Sequence, residues 1–116
     1  MIKSSELISE LFSEIPAENK LSRDFLFVRF LTNRNHQGTK FGLVVGKRFF
    51  KKAVDRNLIK RRIREVLRLN QGLLKEQKGV AVLIIYRSKN IKTFVEIEKA
   101  MKKLLVSLNS QLESNT

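Results

Sequence analysis

Apolar and polar positions change period several times along the 116 residues, and each change marks an element. Leu7, Ile8, Leu11, Phe12 and Ile15 recur at helical spacing behind Ser4 and Ser5, which can cap a short helix. Pro16 ends that helix, because the residue before a proline is pushed out of helical angles. Residues 21–32, LSRDFLFVRFLT, read as a strand with Phe25, Phe27, Arg29 and Leu31 on one face and Leu26, Val28 and Phe30 on the other. Two Asn and a Gly make residues 33–39 the strongest turn signal, joining this strand to an antiparallel one at residues 41–46, FGLVVG. A basic approach, KRFFKK at residues 47–52, leads into a long helix that runs to about residue 70. NQGLLKEQKG closes it, and VAVLIIYR at residues 80–87 is the unbroken apolar run of a strand covered on both faces. After a polar turn, Thr93 and Glu96 make a capping box for a final helix whose core stripe is Phe94, Ile97, Met101, Leu104 and Leu108. Residues 110–116 read as a frayed tail.

The element order is αβββαβα if a short strand forms around residues 18–21, and αββαβα otherwise. Helices and strands are mixed without regular alternation, so one α+β domain over residues 1–116 is expected, with helices packed on a sheet. The strand–helix–strand passage through residues 41–86 makes a parallel pair, for which the general rule gives a right-handed crossover.

Charge changes this picture at one place. The chain carries 24 Lys and Arg against 11 acids, a net charge of +13. Ten of those cations and only two acids, Asp55 and Glu65, fall between Lys47 and Arg68. On a helical projection Ile59, Ile63, Val66, Leu67 and Asn70 occupy one arc of about 100°, a face built for burial. Asn57, Lys60, Arg61, Arg64 and Arg68 fill the adjoining arc of about 100°. Arg62 and Glu65 lie off its centre, and Glu65, four residues beyond Arg61, can brace that guanidinium. Arg56, Lys60, Arg64 and Arg68 stack like charges at i+4, which is destabilising unless a polyanion screens them. Guanidinium forks grip phosphate with two hydrogen bonds and stack on bases, and Asn57 can both donate and accept. Lys47, Arg48, Lys51 and Lys52 extend the patch to the helix N-terminus, where the helix dipole favours anions. Phe49 and Phe50 interrupt that run, with a core role or a hydrophobic staple favoured over base stacking.

Other chemistry is missing. There is no cysteine, hence no disulfide, thiol nucleophile or thiolate metal site. His36 stands alone in the turn segment, acids are scattered, and Gly42 and Gly46 do not make a phosphate loop. No apolar stretch is long enough to span a membrane and no basic leader precedes an apolar run, so a cytoplasmic protein with no membrane partner is expected.

Residues 53–65, AVDRNLIKRRIRE, match at every fixed position the signature AVxRNxIKRxxRE of the bacterial ribonuclease P protein subunit. The chain resembles that family over nearly its whole length, from the LISELF helix through GLVVGKRFFKKAV to the last helix. The resemblance implies a mixed four-stranded sheet with an unusual left-handed βαβ crossover, against the general rule, in a fold shared with a domain of a ribosomal protein. It implies a catalytic RNA partner that, with Mg²⁺ bound mainly by the RNA, removes the 5′ leader of precursor tRNA. The protein alone would not be catalytic, and would bind the RNA one to one as a monomer. By motif position Lys47, Arg48, Lys51, Lys52, Arg56, Asn57, Lys60, Arg61, Arg62, Arg64 and Arg68 would face that RNA. Ile8 and Phe12 of the first helix and Val28 of the strand would line a groove for the single-stranded leader. Two of those three are aliphatic where relatives use aromatics, so shape and charge must do more than stacking.

The alternative is a structural, ribosomal-type RNA-binding protein with no role in processing, which has no need of a leader groove. A DNA reader fits less well, since no helix-turn-helix partner precedes the basic helix. A self-contained nuclease lacks clustered acids, and a membrane anchor is at odds with a helix set between strands.

Overall fold

A computed structural model describes residues 20–32, 38–73 and 79–114. Four strands, β1 (Lys20–Arg23), β2 (Leu26–Leu31), β3 (Thr39–Val45) and β4 (Val80–Tyr86), form one sheet in the order β1-β2-β4-β3. Helix α1 (Ala53–Leu69) crosses from β3 to β4, and α2 (Phe94–Ser114) follows β4. β4 pairs in parallel with β3 and antiparallel with β2, so the sheet is mixed. The front helix expected at residues 7–15 lies outside the described residues.

The strand expected over residues 21–32 is two strands. Arg23 pairs with Leu26, so Asp24 and Phe25 form a two-residue hairpin loop. Asp24 has φ 53, a left-handed conformation that Asp tolerates because its short polar side chain can bond locally. The strands flanking residues 33–37 do run in opposite senses, but they are not neighbours. β4 inserts between them, because its wholly apolar run needs strands on both edges and cover on both faces.

Side-chain alternation then sorts the sheet into two faces. Leu26, Val28 and Phe30, with Val82, Ile84, Tyr86, Leu43 and Val45, form the main core with the two helices. Ile59, Ile63, Val66 and Leu67 of α1 and Ile97, Met101, Leu104 and Leu108 of α2 supply the helical half, as the apolar stripes require. The opposite face carries Leu31, Ala81, Leu83 and Ile85, with Phe27 and Val44 packed on them. The tail reading fails over residues 110–114: α2 continues to Ser114, because Leu112 extends the stripe by one turn and is buried in the core.

One end of each helix is capped by side chains. The capping box forms: Thr93 N–H donates to Glu96 Oε1 at 3.1 Å, and Glu96 N–H to Thr93 Oγ1 at 3.2 Å. α1 ends at Asn70, whose Nδ2 donates to the Val66 carbonyl at 2.8 Å and to Glu98 Oε2 at 3.2 Å, linking α1 to α2. Among the described residues no helix is long and apolar enough to cross a membrane.

Candidate nucleic-acid interface

α1 buries one face and turns its cations outward. Asn57, Arg61, Arg64 and Arg68 are exposed, Lys60 is half-buried, and Lys47, Arg48, Lys51 and Lys52 are exposed just ahead of the helix. Lys60, Arg61 and Arg64 have no hydrogen bond or ion pair among the described residues, nor do Lys47, Lys51 and Lys52. These six cations therefore have no counter-charge among the described residues, the condition under which an external polyanion is gained most easily. The N-cap residue Lys52 makes no side-chain cap bond, and Asp55 is the acid of the first turn.

Three motif residues brace the protein itself. Arg56 Nη1 donates to the carbonyls of Phe50 at 2.7 Å and Lys51 at 3.0 Å, holding the basic approach against the helix. Arg62 Nη1 donates to the Lys92 carbonyl at 2.5 Å, which explains its place off the centre of the stripe. Glu65 does not brace Arg61. It takes Arg68 instead, with Nε at 3.1 Å and Nη2 at 2.5 Å, because one turn of helix brings the i+3 guanidinium onto both carboxylate oxygens. That hydrogen bond holds the Glu65 carboxyl below its usual range.

The two phenylalanines of the approach divide the work. Phe50 is buried, with its ring 6.0 Å from that of Tyr86, whereas Phe49 is exposed with the Arg48 guanidinium 5.8 Å from its centroid. Tyr86 also fixes the turn before α2. Its hydroxyl donates to the Asn90 carbonyl at 2.5 Å and accepts Lys92 N–H at 3.0 Å, and burial pushes its pKa up. Nothing in the linear pattern distinguished Tyr86 from the aliphatic residues of its strand.

The leader-groove residues fare differently. Ile8 and Phe12 lie outside the described residues. Val28 lies in the main core beneath the helices and is 1% exposed, so its side chain reaches no groove surface. The strand periodicity puts Phe27 on the opposite face, half-buried, with the Arg87 guanidinium 4.6 Å from its ring centroid. Lys20 and Arg29 of β1 and β2 and Lys40 of β3 share that face by register. The period-two pattern of the sequence already sets Phe27 facing away from Val28.

Comparison with known proteins bears on the whole chain. The family model for Ribonuclease P matches residues 2–109. The ribonuclease P protein component of Ralstonia pickettii is 38% identical over 93 residues, covering 80% of this chain and 64% of that protein. The Clostridium kluyveri component is 33% identical over 97 residues, covering 80% of this chain and 86% of that one. The Thermotoga maritima RNase P protein in complex with 1-(4-fluorophenyl)-2-thiourea has the same fold, with TM-score 0.73 and 26% identity over 91% of this chain and 97% of that one. With the family model matched over residues 2–109 and the same fold in the solved relative, the chain belongs to the ribonuclease P protein family.

Proposed function

We propose that the chain is the protein subunit of ribonuclease P, binding the catalytic RNA through α1 and its basic approach and assisting removal of the 5′ leader from precursor tRNA. One observation carries this reading: in a chain of the ribonuclease P protein family, Lys47, Lys51, Lys52, Lys60, Arg61 and Arg64 have no counter-charge among the described residues. Their roles follow from charge and shape. Arg61 and Arg64 neutralise phosphates where RNA strands converge, Asn57 reaches a sugar hydroxyl or base edge, and Arg56 keeps Lys51 and Lys52 positioned beside them. Arg62 acts by fixing α1 to the start of α2.

The second face of the sheet supports leader binding. Phe27, held under Arg87, offers a ring for stacking, and Lys20 and Lys40 put further cations on the same face of the sheet. Phe27 takes the place on the strand that Val28 does not fill. Phe12 and Ile8 complete the groove in this reading.

Mg²⁺ enters as an ion of the RNA. Among the described residues no three His, Cys, Asp or Glu side chains come together. The chain's own contribution is binding energy and charge neutralisation; bond cleavage belongs to the RNA. The subunit acts in the cytoplasm as a monomer, one per RNA.

Binding to precursor and mature tRNA in the reconstituted complex tests this reading. Tighter binding of the precursor, dependent on the protein, is the expected result. Equal affinity for both would leave only a structural RNA-binding role.

A further inference from the structure

A pocket of about 250 Å³ opens between the C-terminal half of α1 and the outer strand β3, lined by Thr39, Phe41, Arg64, Leu67, Arg68 and Gln71. Its floor is apolar: Leu67 is buried and Phe41 half-buried. Its rim is cationic and polar. Arg64 has no partner among the described residues, while Arg68 is held in place by Glu65. Gln71 Nε2 donates to the Arg68 carbonyl at 3.2 Å, which fixes the amide and leaves its oxygen as an acceptor.

Each feature narrows the ligand. Pockets for drug-sized molecules run to about 300–1,000 Å³, so this one has room for a single flat group. A small anion alone has no use for a phenyl floor, and an apolar ligand has none for an unpaired guanidinium. A nucleobase bearing a phosphate uses both, since unpaired bases stack on aromatic and guanidinium planes while Arg grips the phosphate. Base-paired RNA presents no free face and does not enter.

We propose that this pocket takes one unstacked nucleotide of the partner RNA, its base against Phe41 and Leu67, its phosphate on Arg64, and a base-edge donor on Gln71. The proposal rests on the RNA-binding reading above. It gives the cationic stripe a fixed register, because phosphate contacts alone tolerate sliding and an inserted base does not.

The test is binding of the full chain to its cognate ribonuclease P RNA over a salt series. Phe41→Leu should weaken binding about tenfold at every salt concentration with the salt slope unchanged, since stacking is lost and no charge is. Gln71→Ala should weaken it about threefold, again with the slope unchanged. Arg64→Ala should both weaken binding and lower the slope by about one. If the wild-type chain binds and both Phe41→Leu and Gln71→Ala bind as tightly, the pocket proposal is wrong and the RNA reading stands. If the wild-type chain does not bind the RNA, both fall. Should Phe41→Leu unfold, exposed Gln71 decides, together with titration of adenosine 5′-monophosphate against inorganic phosphate. Amide shifts at Thr39 and Gln71 from the nucleotide alone support the site, and equal shifts from phosphate overturn it.

Discussion

Arg62 Nη1 donates to the carbonyl oxygen of Lys92 at 2.5 Å, joining the basic helix to the turn that opens α2. Lys92 is in turn fixed through its N–H by the Tyr86 hydroxyl, so a buried strand residue, the capping turn and the cationic helix form one connected unit. Arg62→Ala should therefore lower stability by about 1.5–3 kcal/mol, the range for a hydrogen bond to a charged group. Denaturant unfolding measures it. RNA binding by the folded variant should keep the wild-type salt slope.

Arg61→Ala should behave in the opposite way. Its guanidinium is exposed and has no partner among the described residues, so unfolding should shift by no more than about 0.5 kcal/mol. The salt slope of RNA binding should fall by about one. Arg56→Ala should show both effects, because it also holds the carbonyls of Phe50 and Lys51.

On the second face, Phe27→Ala should spare assembly with the RNA and weaken precursor tRNA selectively, by about fivefold or more for one lost stacking contact. Phe12→Ala should do the same. Val28→Ala instead makes a cavity in the main core and should cost about 1–3 kcal/mol of stability with no selectivity between precursor and mature tRNA.

Glu96 gives a pH dependence. Hydrogen bonds from the Thr93 backbone and hydroxyl hold its carboxyl below the ordinary value of 4.5. A group depressed in the folded chain contributes fully above its unfolded pKa, and the contribution is lost as pH falls through the lower folded value. Amide exchange at Thr93 should thus be protected at neutral pH and lose its excess protection only below about pH 4.5. In Glu96→Gln that acid-dependent loss should disappear.

Much of this arrangement is legible in the linear pattern because single elements declare it. The apolar stripe of α1, the capping box at Thr93 and the buried run of β4 follow from local periodicity, and all three form. Pairwise relations between distant residues do not follow from periodicity. The insertion of β4 between β2 and β3, the reach of Arg62 across 30 positions to Lys92 and the Tyr86 hydroxyl bonds are tertiary facts. Within α1 the choice of Arg68 over Arg61 by Glu65 was open, since i+3 and i+4 spacings both bring charges together. Val28 shows how much one position matters in a strand: a shift of one residue exchanges the faces of a sheet, and Val28 lies on the core side.

Cleavage of precursor tRNA at low Mg²⁺ and moderate salt, with the catalytic RNA alone, the chain alone and the two together, tests the central claim most directly. The account predicts cutting at the mature 5′ end from the combination only. Cutting by the chain alone, or no gain when it joins the RNA, would contradict it.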